Sequence, residues 1–401
     1  MTMYSFGIEE EYFVFDARSR RAVKTADAKF IARAKARLGK RVTTEMLQSQ
    51  IEFVSPPCNS FAEGRAQLAN GRTILSEEAN ARGLGIAAMG TFPLADWPDQ
   101  TVTANPRYDA ILDDLQMIGL RNMLCGMHVH VEVPEPDARV DLMMRLVPYL
   151  PLMLALSTSS PFWQGHATGL HGYRLAAYDE MPRTGLPELF RTKADYDDFV
   201  GALVWAKIIP DASHIWWAIR PSMRYPTIEL RVTDSCTDID DAIAIAALFR
   251  CLVRALDRDR DLNAGFDRVG RAITVENKWH AQRYGVGATF VDPFRRQPMD
   301  AATWLDEVFD FIHEDIKFFS CAGEIGRLRG IIANGTSADR QIAVYEKARE
   351  AERKRPFAMK DVVDWAAAQT RDVDSDSKSP FRASVRKAKP DSVVLTPDGT
   401  A

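Results

Sequence analysis

The chain has 401 residues, 46% of them hydrophobic and 26% charged, a composition that excludes a disordered, collagenous or disulfide-scaffold protein. Lys and Arg total 51 against 55 Asp and Glu. With the two signs so nearly balanced, no global field draws the chain to nucleic acid or an anionic membrane, and an anionic ligand needs a local basic site.

The N-terminal residues 1–16 lack the basic start and apolar stretch of a signal peptide and run into an acidic, strand-like segment, which predicts a cytoplasmic protein. Residues 4–15 and 42–54 are rich in β-branched and aromatic side chains and read as strands. Ser60 and Glu63 form a capping box that opens a helix running to about Arg82 and stopping at Gly83. A strand is expected over residues 84–90, Asn105 with Pro106 starts a second helix, and residues 124–133 form another strand. The apolar run at 146–156 contains Pro148 and Pro151 and falls short of the ~20 residues that span a bilayer, so no membrane helix is expected. Strands follow at 215–219 and 227–233, a helix at 242–256 with carboxylates from Asp238 to Asp241 at its positive end, and an amphipathic helix at 300–319. Residues 372–401 gather Ser, Asp, Lys and Pro without periodicity and are expected to be a disordered tail.

Strands and helices do not alternate in a strict βαβ rhythm, which predicts an α+β fold with a mainly antiparallel sheet. No internal repeat is visible. Cys58, Cys125, Cys236, Cys251 and Cys321 are odd in number, widely spread and without a CxxC pair, as expected of reduced thiols.

Four segments carry chemistry. In the first, Glu9, Glu10 and Glu11 lie in a β-forming run, so Glu9 and Glu11 share a face about 7 Å apart and Glu10 points the other way. Read alone, that pair fits a solvated edge strand as well as a cation site. In the second, Gln48, Gln50 and Glu52 share a face opposite Ile51 and Phe53, while Glu45 has the wrong parity and joins them only from a bulge or loop. In the third, His128 and His130 alternate with apolar residues, a pattern open to one-sided metal ligation or to two hydrogen-bonded imidazoles. In the fourth, Glu229 and Arg231 share a face with Arg220 and Arg224 just upstream, which alone could be a structural ion pair. Together the four predict one sheet with a polar, lined surface. Acids outnumber imidazoles there, which favours Mg²⁺ over zinc, and the arginines suit phosphate oxygens. No P-loop or dinucleotide-binding glycine motif is present.

These segments resemble the carboxylate-amine ligase family related to bacterial glutamate-cysteine ligases, within the glutamine-synthetase-like superfamily. The resemblance extends through Ser160 to Gly165, Pro182 to Gly185, Glu276 to Trp279, Arg283 to Gly285 and Gly335 to Gln341, covering roughly residues 4–350. It implies an antiparallel sheet curved into a funnel with helices on its outer face, a single ATP-dependent ligase catalytic domain over residues 1–371, and a homodimer. ATP and Mg²⁺ are the implied cofactors. Glu9, Glu11, Glu52, His128 and Glu229 match family metal positions and Glu45 another acid. Arg231, with Glu52, is then catalytic, and Arg220, Arg224, Lys278 and Arg283 are candidates for binding substrate or phosphate. The implied reaction joins a small-molecule carboxylate to an amine through an acyl phosphate, with glutamate and cysteine as the family's reference pair. Two alternatives remain: a metal-dependent amidohydrolase built on His128 and His130, and a non-catalytic member that binds nucleotide or a metabolite.

Overall fold

A computed structural model describes residues 3–373, so all but the first two residues of the expected tail lie outside the described residues. In chain order the strands are β1 (Phe6–Asp16), β2 (Val42–Thr44), β3 (Gln50–Val54), β4 (Leu84–Ala87), β5 (Met127–Glu132), the two-residue β6 (Phe162–Trp163) and β7 (His166–Ala167), β8 (Ile219–Pro221), β9 (Thr227–Leu230), β10 (Thr289–Val291) and β11 (Pro298–Asp300). The main sheet runs β2-β3-β1-β5-β9-β8 and is antiparallel throughout, with β4 paired to the far end of β1. At eleven residues β1 is long enough to accommodate β5 and β4 one after the other along the same edge.

Period-two alternation sorts the sheet into two unlike faces. Ile8, Tyr12 and Val14 of β1, Ile51 and Phe53 of β3, Val129 and Val131 of β5, and Ile228 and Leu230 of β9 are buried in one core with the helices Phe61–Asn80 and Ile239–Arg258. Each helix begins as its sequence dictates. Ser60 accepts from the Glu63 amide, Asp238 from the Asp240 amide, and Asn105 caps the helix Pro106–Leu115. The Phe61–Asn80 helix approaches closely because Gly64 and Gly71 carry no side chain: a Cβ at either would stand 2.8 Å from the ring of Phe6 or Phe53.

Glu10 shares this apolar face, and its charge is met there. Arg72, from the Phe61–Asn80 helix, forks onto both Glu10 oxygens at 3.0 and 2.7 Å and donates to the carbonyls of Thr237 and Cys236. Tyr12 donates a further hydrogen bond to Glu10, and both charged side chains are fully buried.

Several expected elements differ. Residues 42–54 are two strands, not one, because residues 101–103 compete for the backbone between them: Leu47 bridges Val102 and the Gln48 amide donates to the Thr101 carbonyl at 2.9 Å. The expected strand at 215–219 starts only at Ile219, since the Trp216 and Ala218 amides donate to Arg183 and Gly185. The 300–319 helix breaks at Ile312 into Ala301–Phe311 and His313–Phe319, where Asp315 is drawn under Arg254 and Arg258.

The apolar run is also longer than expected. Pro136–Leu146 and Leu150–Ser157 join through one tight turn into a 22-residue helical stretch that is apolar and long enough to cross a bilayer. Pro148 and Pro151 are accommodated because each falls in a first turn, where no amide donor is required. Nearly all of this stretch is buried inside the protein, so its apolar surface is already covered by the core.

Candidate active site

The polar face is assembled by strand register. Across β1 and β3 Glu11 stands opposite Glu52, and across β2 and β3 Thr43 does. Glu9 stands opposite His128 on β5, His130 opposite Glu229 on β9, and Glu229 opposite Arg220 on β8. Sequence-distant acids and imidazoles thus form one continuous row. Glu45 joins it from the loop after β2, as its parity requires, and that loop is tied down by Thr103, whose hydroxyl donates to the Glu45 carbonyl at 2.6 Å.

Three overlapping groups of ligand atoms, each within 4.8 Å, follow the row: Glu11, Glu45 and Glu52; Glu9, Glu52 and His128; Glu9, His130 and Glu229. The first holds three acids with no cation among them. Burial, then the charges of Glu11 and Glu9, push the Glu45 carboxyl up to about 8. Burial and the neighbouring Glu45, Glu9 and Glu11 raise Glu52 well above the usual carboxylate range. Single hydrogen bonds anchor two of these acids: the Gly126 amide donates to Glu11 at 2.5 Å and the Thr43 hydroxyl to Glu52 at 2.6 Å.

Glu9 behaves oppositely. Burial resists its ionisation, yet His128 Nδ1 at 3.2 Å and His130 Nε2 at 3.3 Å hold it well below the ordinary value. The His130 contact is close enough for an ion pair but is not aligned as a hydrogen bond, which His130 Nδ1 forms instead with Thr227 at 2.9 Å. His128 Nε2 is buried without a partner. Burial and then the Arg231 charge lower the His128 pKa, which keeps that nitrogen free as a ligand. A hard divalent cation fits such a set. Converging carboxylate oxygens are its usual ligands, and the one imidazole is outnumbered by them.

The acids open into a cavity of about 400 Å³ lined also by Gln50, Arg220 and Arg231. Glu229 does not line it. Its carboxylate lies behind, bound by Arg220 at 2.8 and 3.1 Å and by Arg231, and despite burial the two guanidiniums hold its pKa far down. Glu229 therefore orients two arginines as well as bordering the third ligand group.

Three expected phosphate contacts fall elsewhere. Arg224 is exposed in the β8–β9 turn over the Tyr225 ring, because the turn carries it past the sheet edge. Lys278 is ion-paired to Asp179 and lines a separate cavity with Arg183 and Arg271, and Arg283 packs over Tyr284. Both are on the helix Arg268–Tyr284, and neither lines the acidic cavity. Of the adjacent tryptophans, Trp217 stacks on Phe199 in the core while Trp216 lines the acidic cavity.

Sequence alone missed Arg107, Tyr108, Arg174 and Tyr178, all of which line the cavity. Arg174 and Tyr178 are one helical turn apart, a spacing that shows them on one face but not which face. The five cysteines are free and buried, as expected, and none lines the cavity. No other histidine joins a ligand group among the described residues, which leaves an amidohydrolase without the imidazoles it needs.

A family model described as glutamate-cysteine ligase family 2 matches residues 5–357. The chain is similar to a protein of Bradyrhizobium diazoefficiens that carries the provisional name glutamate–cysteine ligase 2, at 47% identity over 344 residues, covering 86% of this chain and 80% of that one. A protein of the same provisional name from Rhodospirillum rubrum is 42% identical over 371 residues, covering 92% and 95%. Among solved structures, the glutamate–cysteine ligase of Francisella tularensis in complex with AMP aligns with a TM-score of 0.68 at 12% identity, over 92% of this chain and 89% of that one. The bifunctional glutathione synthetase of Pasteurella multocida aligns at 0.65 and 15%, over 91% and 52%. At such identities these likenesses show the fold alone, an α+β fold with a mainly antiparallel sheet as expected from the sequence.

Proposed function

The chain belongs to glutamate-cysteine ligase family 2, and on that premise we propose that this carboxylate-amine ligase forms an amide at the expense of ATP, through an acyl phosphate. The observation that carries the proposal is the convergence of Glu11, Glu45 and Glu52 with Arg231 around one cavity. Glu9, Glu11, Glu45, Glu52 and His128 are the residues that would hold Mg²⁺. Bound there, the ion supplies charge neutralisation to a triphosphate.

In the first step an oxygen of the substrate carboxylate attacks the γ-phosphorus of ATP, the bond to the β-phosphate oxygen breaks, and ADP leaves. In the second the amine nitrogen attacks the acyl carbon, phosphate departs with the bonding electrons, and the nitrogen loses a proton to solvent. Neither step needs a protein nucleophile, which accords with five buried thiols outside the cavity. In this reading Arg231 donates to the migrating phosphoryl oxygens, its guanidinium bound to Glu229, which Arg220 also holds. Catalysis of this kind rests on positioning and fixed charge.

Glutamate and cysteine, named for the family and its relatives, are the first pair to test. The deciding experiment measures ADP release over a panel of carboxylates and amines, with Mg²⁺ and with chelator. ADP formed only when both substrates and the metal are present supports the proposal. Amide hydrolysis independent of ATP, with zinc bound to the purified protein, would replace it with a hydrolase.

A further inference from the structure

A second arginine lining the same cavity bonds the backbone that carries Arg231. Arg174, on the short helix Tyr173–Tyr178, is buried, yet it has no acidic partner within hydrogen-bonding distance. Its Nη1 donates to the carbonyl oxygens of Arg231 at 3.3 Å and Thr233 at 3.2 Å, and its Nε has no partner at all. The guanidinium also lies over the Tyr178 ring, 5.6 Å from its centroid, and the Tyr178 hydroxyl accepts from Arg231 Nη2 at 3.4 Å. Arg174 therefore reaches Arg231 from two directions: through the backbone that bears it and through the tyrosine that meets its head.

The surroundings are shaped for this one residue. A Cβ on Gly126 would stand 2.2 Å from Arg174 Nη2, so any side chain there would displace the head group. The same glycine donates its amide to Glu11. Behind, the Ser160 hydroxyl accepts from the Arg174 amide and donates to the buried Asp234 at 2.6 Å, whose charge faces Arg174 with one oxygen unpaired. A buried guanidinium without a direct counter-ion is costly to keep.

We propose that Arg174 is a positioning residue that, with Tyr178, aims the Arg231 guanidinium at the transferred phosphoryl group, and that Gly126 is the vacancy that admits it. This rests on the ligase reading above, which assigns the phosphoryl group to Arg231.

The test uses the full chain and the variants Arg174→Lys, Tyr178→Phe, Gly126→Ala and Arg231→Lys, with Tyr178→Phe and Arg174→Lys each also combined with Arg231→Lys. Turnover is followed by ADP release. Calorimetry with MgADP, with and without aluminium fluoride as a mimic of the phosphoryl group in flight, gives a readout that needs no turnover. Arg174→Lys should lower kcat by about 100-fold, the scale of one lost oxyanion donor, with KM for ATP little changed. It should equally erase the gain in affinity that fluoride brings. In the Arg231→Lys background Arg174→Lys and Tyr178→Phe should have no further effect, whereas a structural role would add its loss again.

Full kcat in Arg174→Lys, or losses that multiply with that of Arg231→Lys, would overturn the proposal. Should Arg174→Lys or Gly126→Ala fail to fold, Tyr178→Phe, which removes one hydroxyl, carries the cycle. An intact fluoride cycle in a protein that turns over no substrate pair would sink the ligase reading alone. Turnover with multiplying losses would sink this inference alone, and a wild-type protein that binds no nucleotide would sink both.

Discussion

Glu11 on β1 and Glu52 on β3 are direct cross-strand partners, two carboxylates on one face of an antiparallel pair with Glu45 against them. Like charges in that relationship oppose sheet formation. That proximity, with burial, is what raises the Glu45 and Glu52 carboxyls.

Removing one of these charges should therefore cost function and not fold. Glu52→Gln is expected to abolish ADP release while the melting temperature stays level or rises, because the amide keeps a hydrogen-bonding group for Thr43 and relieves the repulsion. Full turnover by Glu52→Gln would count against the cation assignment. Glu229→Gln should also abolish turnover but lower the melting temperature, since it strands Arg220 and Arg231 beside a neutral group.

Cation binding should depend on pH in a definite direction. With its carboxyl held at about 8 in the metal-free protein, Glu45 is protonated at neutral pH, and a cation must displace that proton. Mg²⁺ affinity should rise as pH increases through about 8. Calorimetry at pH 7 in two buffers of different ionisation enthalpy should show proton release, smaller in Glu45→Gln. Equal heats in both buffers would contradict the picture.

The neighbouring acid predicts the reverse behaviour. Glu10 and Arg72 form a fully buried pair on the opposite face, and breaking such a pair typically costs about 3–5 kcal/mol because the survivor is left charged and unmatched. Arg72→Met should destabilise strongly in a urea titration. Glu11→Gln, one residue along, should not. Similar midpoints for the two variants would mean that the faces are not so divided.

A quieter position tests the packing that places the sheet. In an exposed helix Gly→Ala stabilises by up to about 1 kcal/mol, but at Gly71 the new methyl meets the Phe53 ring at 2.8 Å. Overpacking of this kind costs about 1–3 kcal/mol, so Gly71→Ala should lower the unfolding midpoint. A raised midpoint would show that the Phe61–Asn80 helix rides further from β3.

The resemblance to the ligase family, visible across blocks from Gly7 to Gln341, implied the fold that the comparisons bear out. Faces were legible too, because a period of two is local: Glu9 and Glu11 part from Glu10 by geometry alone. Turns were less so. The break between β2 and β3 depends on residues 101–103, some fifty positions away in the chain, and nothing within 42–54 announces it.

The sequence by itself determined which residue types were available for chemistry and which strand face each would occupy, because both follow from covalent geometry and neighbour-to-neighbour alternation. Which strands lie side by side, and in what register, was decided only by the folded sheet. That choice set Glu11 against Glu52 and His130 against Glu229, brought in Arg174 and Tyr178 from a helix with no motif, and left Arg224, Lys278 and Arg283 outside. Register is a collective property of the buried face, where a slip of one residue would turn every core side chain to the cavity, and no short stretch of chain contains it.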